Sequence, residues 1–485
     1  MSVLFYLKEK KGRNMKEREY LKQPGEHNPV MTQHFGADPY AIVYDGRVYL
    51  YMTGDEIGYD ENGNIKENTY GDICTINVIS SDDLVNWTDH GAIKAAGKNG
   101  AAKWGGNSWA PAACYKNING KTKFFLYFAN SGNGIAVLES DSPVGPFVDP
   151  IGGPLISRDT PNCASVEWLF DPAVLVDGDD AYLYVGGGVP SPDMAADPGT
   201  ARVVKLGADM ISLAEDPKPI KDVSYLFEDS GINKINGKYI YTYCSNFSVP
   251  EGGAPAGFGN GEIIAMTSDD PEGPFEMYGS ILKNPGYFFG TGGNNHHCMF
   301  EYMGEWYIAY HARILEDAMD VHGGYRSTNI DKVTFDENGN IIPIEGTRKG
   351  VRAVKHVNPY GAVWGATMSN QNGTNTRPYG EVSEAAGYGN MILSDIKDGA
   401  WICVSEVDFG TISPENIFAN MRGESGSVHV RIDGLMGKEV ASISFEGSEE
   451  FIDCDATMQD SIMGVHDVYF VYENGGFEIK KWWLE

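Results

Sequence analysis

The sequence predicts an all-β chain of 485 residues, in which a five-bladed β-propeller is followed by a β-sandwich of the jelly-roll type. The first observation is a phrase that occurs five times: a polar or acidic opening, an alternating apolar run, a tight turn and an aromatic-rich run. Its copies are about 55 to 75 residues apart, the size of one four-stranded blade. The second observation is that residues 356–485 carry alternating apolar and polar runs between Gly and Asn turns, which is typical of a β-sandwich.

Each copy of the phrase predicts the innermost hairpin of one blade. The copies open at Asp38, Ala110, Asp171, Glu228 and His296. Polar turn clusters that join two further strands follow three of these hairpins, at Ser81–Gly91, Ser140–Phe147 and Ser268–Phe275. We therefore predict four strands per blade and a propeller that ends near residue 352.

These patterns divide the chain into three parts. We predict an N-terminal extension over residues 1–27, a propeller over 28–352 and a β-sandwich over 356–485. The apolar run near the N-terminus is five residues long, too short for the apolar core of a signal peptide. The seven cysteines are scattered without a CxxC pair, which favours free thiols in a reducing compartment. We therefore expect a cytoplasmic protein.

Net charge restricts the partners of the chain. The sequence has 67 acidic and 37 basic side chains, a net charge of −30. This charge argues against nucleic acid, whose phosphates need a basic face, and against anionic membrane surfaces. A neutral substrate such as a carbohydrate is compatible with it. The oligomeric state does not follow from the sequence.

Three of the repeat openings are carboxylates, at Asp38, Asp171 and Glu228. A propeller brings the start of every innermost strand to one end of a common axis, so these three side chains should share a pocket. Inverting hydrolysis of a glycosidic bond needs a carboxylate base for water and a carboxylic acid for the leaving oxygen, about 6.5–9.5 Å apart. A third carboxylate raises the pKa of the acid by like-charge repulsion. Asp38-Pro or Asp171-Pro alone could equally be a strand-entry turn.

Six motifs resemble glycoside hydrolase family 43 and follow that family's order over residues 28–350. They are Ala37-Asp-Pro-Tyr, Ser108-Trp-Ala-Pro, Trp168-Leu-Phe-Asp-Pro-Ala-Val, Phe227-Glu-Asp-Ser, Gly293-Asn-Asn-His-His and Gly324-Tyr-Arg-Ser-Thr. The resemblance implies a five-bladed propeller and an inverting mechanism. It also implies that Asp38 is the general base, Asp171 the pKa modulator and Glu228 the general acid.

Four further residues are candidates for substrate binding. Trp168 precedes Asp171 by three residues and could pack against a sugar, or be a core tryptophan. Phe247 matches a position that resembles a stacking platform for xylose, and a bare loop aromatic is the alternative. Trp109 opens the second repeat and could instead be core packing. Arg326 matches the family's substrate-binding arginine, and we expect its planar fork to bridge a substrate hydroxyl and Asp171; a surface ion pair is the alternative.

His296 opens the fifth repeat and should lie on the axis. In relatives that this chain resembles, a histidine here faces a calcium ion that is bound mainly by water. Calcium prefers oxygen ligands, so one imidazole makes an unusual site. We expect His296 to be this ligand, with a hydrogen-bonded core histidine as the alternative. His297 should point to the opposite face of a regular strand.

Residues 356–485 resemble a family 6 carbohydrate-binding module, through Val357-Asn-Pro-Tyr, Val407-Asp-Phe-Gly and the closing Lys481-Trp-Trp. Such modules usually carry a Glu-x-Glu calcium site after the Asn-Pro-Tyr motif. Here the stretch is Gly361-Ala-Val-Trp-Gly-Ala, without carboxylates, and Lys480-Lys481 replaces the usual Asp before the final tryptophans. Our hypothesis is that this domain buttresses the propeller and has little affinity for carbohydrate.

The resemblance is closest to the branch of arabinoxylan arabinofuranohydrolases and α-L-arabinofuranosidases. It implies an inverting, exo-acting enzyme that removes terminal arabinofuranosyl groups from arabinoxylo-oligosaccharides. A β-xylosidase, or an enzyme with both activities, is the first alternative, because arabinofuranose and xylopyranose present similar hydroxyl patterns. A non-catalytic carbohydrate-binding protein is the second, and the three carboxylates argue against it.

Overall fold

The computed structural model describes residues 20–380 and 391–485, and most of the predicted N-terminal extension lies outside these ranges. The chain forms two compact units. One comprises His34–Ile79 and Ala92–Gly350, and is named the larger unit. The other is named the C-terminal unit. It comprises Met1–Gln33, of which 20–33 are described, together with Ser80–Gly91 and Val351–Glu485. No helix in the described ranges is long and apolar enough to span a membrane.

The first nineteen strands form five antiparallel sheets in the described residues. The first sheet contains β1 (Ala37–Tyr44), β2 (Arg47–Thr53), β3 (Thr75–Ser81) and β4 (Trp87–Lys94). The second contains β5 (Trp109–Ile118), β6 (Lys121–Ala129), β7 (Gly134–Ser140) and β8 (Ile156–Ser157). The third contains β9 (Ala173–Asp177), β10 (Asp180–Val185), β11 (Arg202–Lys205) and β12 (Lys218–Pro219). The fourth contains β13 (Leu226–Ile235), β14 (Lys238–Ser245), β15 (Ile263–Ser268) and β16 (Glu276–Leu282). The fifth contains β17 (His297–Tyr302), β18 (Glu305–Ala312) and β19 (Ser327–Val333).

Two short helices, α1 (Pro285–Phe289) and α2 (Ile314–Met319), lie between these strands, with a 3-10 turn at Pro192–Met194. Four of the five inner hairpins turn at two residues of positive φ, as at Asp45-Gly46 (49° and 73°) and Asn236-Gly237 (52° and 80°). Asp-Gly and Asn-Gly are the preferred pairs for such turns, because their twist matches that of the flanking strands. The repeated phrases therefore form hairpins for a local reason.

The fifth sheet differs from the prediction of four strands per blade. It has three strands in the described residues, ending with β19. After β19 the chain reverses through a bridge between Phe335 and Ile341, and Ile344 then pairs with Leu282 of the fourth sheet. The segment that should have supplied a fourth outer strand is thus hydrogen-bonded elsewhere.

The starts of four of the five innermost strands have an unusual backbone. The φ angles of Asp38, Ala110, Asp171 and Asp229 are 48°, 43°, 48° and 69°, in the left-handed region. The pairing register shifts beside three of them, between Ala37 and Tyr40, between Trp109 and Ala112, and on both sides of Glu228. Such bulges re-aim side chains and are common next to active sites. Here they change the direction of the side chains that open the strands.

The C-terminal unit contains twelve short strands. They are β20 (Val363–Trp364), β21 (Thr367–Met368), β22 (Asn370–Asn372), β23 (Asn375–Pro378), β24 (Met391–Ser394), β25 (Trp401–Asp408), β26 (Asn416–Gly423), β27 (Gly426–Ile432), β28 (Lys438–Phe445), β29 (Ser448–Thr457), β30 (Val465–Glu473) and β31 (Phe477–Leu484). One sheet has the order β23-β24-β31-β26-β29, with β20 on β31, and the other β22-β25-β30-β27-β28. Buried residues from both sheets, such as Met421 and Val430, form one hydrophobic core, which is the packing of a β-sandwich.

Candidate active site

A cavity of about 550 Å³ in the larger unit collects the starts of the innermost strands. All three carboxylates that the sequence singled out, Asp38, Asp171 and Glu228, line it. Its other lining residues are Tyr70, Trp109, Gly132, Trp168, Phe170, Phe227, Phe247, Asn294, His296, Arg313 and Arg326. The volume suits a small ligand such as a sugar.

Asp38 lies at the start of β1 and is held in place on both carboxylate oxygens. Thr53 donates a hydrogen bond of 2.7 Å to Oδ2, and Nη1 of Arg326 donates one of 2.9 Å to Oδ1. Nδ1 of His311 lies 3.0 Å from the same Oδ1. Burial opposes ionisation, but the charge of Arg326 and the hydrogen bond with His311 outweigh it, so the pKa of Asp38 lies well below its ordinary value. Asp38 is therefore a carboxylate at neutral pH.

Arg326, at the start of β19, is buried and joins Asp38 to a second carboxylate. Its Nε and Nη2 donate to the two oxygens of Asp55, at 3.0 and 2.9 Å, and its Nη1 donates to Asp38. The guanidinium also lies over the ring of Tyr70, 4.6 Å from the centroid. The prediction that Arg326 bridges to Asp171 was wrong, because Asp55 takes the bidentate side of the fork and Asp38 the remaining nitrogen.

Asp171 lies in the turn before β9 and is also buried. Its Oδ2 accepts a 3.0 Å hydrogen bond from the backbone N–H of Asp229. Burial and the nearby charge of Asp38 raise the pKa of Asp171 well above its ordinary value, against the effect of that hydrogen bond. Asp171 thus ionises less readily than a solvent-exposed carboxyl, and ionisation of either Asp171 or Glu228 disfavours ionisation of the other.

Glu228, near the start of β13, is the least satisfied of the three. Among the described residues no hydrogen-bond partner reaches its buried Oε1. Burial and the charges of Asp171 and Asp38 raise the pKa of Glu228 well above its ordinary value. A carboxyl that lines the cavity and has a raised pKa is suited to donate a proton to a bound ligand.

Aromatic side chains form a wall of the same cavity. The ring of Trp168 lies 5.4 Å from that of Phe170 and 5.2 Å from that of Phe227, both edge to face. Phe247 lies 5.4 Å from Phe227 and is 49% exposed. A Cβ placed on Gly188 would lie 2.9 Å from the indole of Trp168, so a residue without a side chain makes room for the ring. Such rings offer apolar faces to a sugar.

Trp109 stands at the start of β5 and lines the cavity as well. Its indole N–H donates a 2.9 Å hydrogen bond to the backbone carbonyl of Tyr70. Trp109 thereby anchors the loop that carries Tyr70 beneath Arg326, while part of its ring faces the cavity.

The cavity thus combines one carboxyl whose pKa is lowered with two whose pKa values are raised, which is the pairing that acid–base chemistry needs. The model of the glycosyl hydrolases family 43 matches residues 26–341. This chain belongs to that family. The family 43 match includes every lining residue of the cavity.

Curated relatives of this family 43 chain share most of its length. An arabinoxylan arabinofuranohydrolase of Paenibacillus polymyxa is 46% identical over 476 residues, which are 95% of this chain and 74% of that protein. One of Bacillus subtilis (strain 168) is 46% identical over 474 residues, 94% of this chain and 91% of that protein. A crystal structure of the arabinoxylan arabinofuranohydrolase from Bacillus subtilis, in complex with cellotetraose, has a TM-score of 0.90, with 43% identity over 96% of this chain and 99% of that one.

The C-terminal unit has its own family match. A carbohydrate binding module of family 6 matches residues 365–485. The catalytic domain of family 43 is a β-propeller, so the family 43 chain is an all-β protein that combines a propeller enzyme with this module. The hypothesis that the module has little affinity for carbohydrate stays a prediction.

His296 lies directly before β17 and touches three carboxylates. Its Nδ1 is 3.6 Å from Asp38 and 3.7 Å from Asp171, and its Nε2 is 3.1 Å from Asp229. Burial lowers the pKa of His296. Within residues 20–380 and 391–485, no group of three or more His, Cys, Asp or Glu side chains is placed to hold a metal ion. Calcium at His296 stays a prediction.

Sequence reasoning missed four groups that hold the site together. Asp55 and Tyr70 lie in the long connection between β2 and β3, and His311 lies near the end of β18. Asp229 follows Glu228, and its Oδ2 lies 2.6 Å from Nδ1 of His297. The one available signal was position, since Asp55 stands two residues after the end of β2 and Asp229 within the fourth repeat opening.

Proposed function

We propose that this chain is an α-L-arabinofuranosidase that removes terminal arabinofuranosyl groups from arabinoxylan-derived oligosaccharides and inverts the anomeric centre. One observation carries the proposal: the cavity of a family 43 chain brings Asp38, Asp171 and Glu228 together, with the pKa of Asp38 lowered and that of Glu228 raised. The substrate rests on the two relatives at 46% identity, both named arabinoxylan arabinofuranohydrolase.

Asp38 acts as the general base. Its carboxylate takes a proton from a water molecule as the water oxygen bonds to the anomeric carbon of arabinose. Arg326, Thr53 and His311 hold the carboxylate in one orientation, so it is fixed before the substrate arrives.

Glu228 acts as the general acid. As the bond between the anomeric carbon and the glycosidic oxygen breaks, Glu228 delivers its proton to that oxygen, and the xylan chain leaves as an alcohol. Glu228 lines the cavity, so its carboxyl group is the candidate for this contact. Attack by water on the face opposite the leaving group gives inversion.

Asp171 keeps the pKa of Glu228 high through its proximity, and the backbone N–H of Asp229 fixes its orientation. Each turnover leaves Asp38 protonated and Glu228 ionised, so both must exchange a proton with water before the next cycle. Both residues line the cavity, which gives them a path for proton exchange with water once product leaves.

Two finer points belong to the same proposal. The five sheets, each opened by one copy of the repeated phrase, support a propeller of five blades, and the two C-terminal sheets support a jelly roll. The cytoplasmic location rests on the sequence patterns alone and stays a prediction.

The test compares hydrolysis of an aryl α-L-arabinofuranoside and an aryl β-D-xylopyranoside, with Asp38→Ala as the control. We expect faster turnover of the arabinofuranoside, and its loss in Asp38→Ala, which lacks the base. Faster turnover of the xyloside would replace the proposal by a β-xylosidase with the same carboxylates. If the chain hydrolyses neither of the aryl glycosides and no arabinoxylo-oligosaccharide, the result would favour a non-catalytic binding protein.

A further inference from the structure

Arg313 lines the cavity, and its guanidinium has few polar partners among the described residues. Its one ion pair within the described residues is a 4.0 Å contact with Oε1 of Glu316, and no side-chain hydrogen bond of Arg313 is found there. By contrast, Arg326 in the same cavity makes three side-chain hydrogen bonds. A guanidinium has five N–H donors, so most of those on Arg313 are open to a ligand.

The surroundings of Arg313 keep a place for this side chain at the cavity. A Cβ placed on Gly293 would lie 3.3 Å from Nη2 of Arg313, and one on Gly324 would lie 3.5 Å from it. Two glycines therefore give the guanidinium room. Asn294, another lining residue, lies next to Gly293 and adds an amide to the same region.

Arg313 is closer to solvent than the catalytic carboxylates. Its side chain is 29% exposed, against 6% for Asp38 and 5% for Asp171. The sugar that is cleaved must reach the buried carboxylates. Arg313 is a partly exposed hydrogen-bond donor in the same cavity. It is therefore positioned to contact the part of the substrate that extends from the cleaved sugar towards solvent.

We propose that Arg313, assisted by Asn294, binds hydroxyl groups of the xylose units that carry the arabinofuranosyl group. This inference rests on the proposed function and names the part of the substrate that selects for an oligosaccharide. Hydroxyl oxygens are acceptors for guanidinium donors. A neutral xylose chain fits better than an acidic sugar, because ionised Asp38 lies in the same cavity and the chain has a net charge of −30.

The experiment uses the full chain with two substrates, an aryl α-L-arabinofuranoside and an arabinofuranosyl-substituted xylotriose. In Arg313→Met we expect kcat/KM on the xylotriose to fall about 10- to 100-fold more than on the aryl glycoside, as for the loss of hydrogen bonds to a charged group. Arg348→Met removes an exposed arginine of the same unit that does not line the cavity, and we expect it to change neither value. An equal loss on both substrates, or no loss on either, would overturn the inference.

A structural role for Arg313 would give a different result. Glu316, its ion-pair partner, accepts hydrogen bonds from the backbone N–H groups of Gly323 and Tyr325, just before Arg326. If Arg313 acted only through Glu316, both substrates would lose kcat together. We expect instead that the xylotriose loses mainly through KM, and that Arg313→Lys, which keeps the charge but not the fork, recovers only part of the loss.

Failure of the proposed function would be distinct from failure of this inference. Wild-type chain that hydrolyses neither substrate would end the proposed function. Wild-type activity on both, with the ratio of the two kcat/KM values unchanged in Arg313→Met, would end only the assignment of Arg313.

Discussion

The backbone N–H of Asp229 donates a hydrogen bond of 3.0 Å to Oδ2 of Asp171. Because Asp229 follows Glu228 directly, this bond ties the residue that carries the proton to the carboxylate that raises its pKa. The donor of this hydrogen bond is a backbone N–H, so its position does not depend on the conformation of the Asp229 side chain. The two raised pKa values therefore have a common structural cause, shared burial at a fixed separation.

The acid can be tested through the leaving group. We expect Glu228→Gln to lower kcat about 100-fold or more on an arabinoxylo-oligosaccharide, since protonation of the leaving oxygen contributes about that much. The loss should be much smaller on an aryl arabinofuranoside whose phenol leaves without a proton. Asp38→Asn is the comparison, because loss of the base should affect both substrates alike. Equal losses in Glu228→Gln would argue against its role as the acid.

The pH dependence follows from the two directions of the pKa shifts. Asp38 must be ionised, so kcat/KM falls as the pH drops towards its lowered pKa. Glu228 must be protonated, so kcat/KM falls as the pH rises through its raised pKa. We expect a plateau that extends further to acid than a carboxyl of ordinary pKa allows. The check is the residual rate of Glu228→Gln, which should lose the alkaline fall; an unchanged alkaline fall would assign it to another group.

Arg326 should matter for both stability and pH. In Arg326→Met the carboxylate of Asp55, which is fully buried, loses its bidentate partner, and we expect the free energy of unfolding to fall by about 3–5 kcal/mol. Denaturant titration measures this change, with Arg348→Met as the control. In the fraction of Arg326→Met that folds, Asp38 has lost its positive neighbour. The fall of kcat/KM on the acidic side should therefore occur at a higher pH than in the wild type. A stable Arg326→Met variant with a wild-type profile would contradict this view of the ion-pair network.

Phe247 is half exposed at the cavity, so its substitution should weaken substrate binding without a large effect on the stability of the fold. We expect Phe247→Ala to raise KM for an arabinoxylo-oligosaccharide several-fold, while the free energy of unfolding changes by less than about 1 kcal/mol. Tyr287→Ala is the matched control, because Tyr287 is 77% exposed and does not line the cavity. Identical KM values in wild type and Phe247→Ala would remove this residue from the substrate site.

The sequence predicted the placement of Asp38, Asp171 and Glu228 because a repeat is a local pattern with a fixed phase. Each opening precedes an alternating run and a turn, so a common position in the repeat gives a common position in space. The same logic placed His296 in the cavity. The all-β character and the sandwich followed from periodicity in the same way.

The network around these residues could not be predicted from such patterns. Arg326 pairs with Asp55, which lies in a connection without periodicity and 271 positions away. Which carboxylate an arginine reaches depends on the backbone direction at the start of its strand, and the repeat does not encode that direction. The fifth sheet is a similar case, because the pairing of Ile344 with Leu282 depends on where the fourth sheet ends.

The most direct measurement is proton NMR during hydrolysis of an arabinofuranosyl-substituted xylo-oligosaccharide by the wild-type chain. We expect free arabinose to appear first as the β-anomer, with the xylose chain intact, because water attacks opposite the leaving group under Asp38 and Glu228. Release of xylose instead of arabinose would contradict the proposal that the chain removes arabinofuranosyl groups. Arabinose that appears first as the α-anomer would contradict the inverting roles of the two carboxyls.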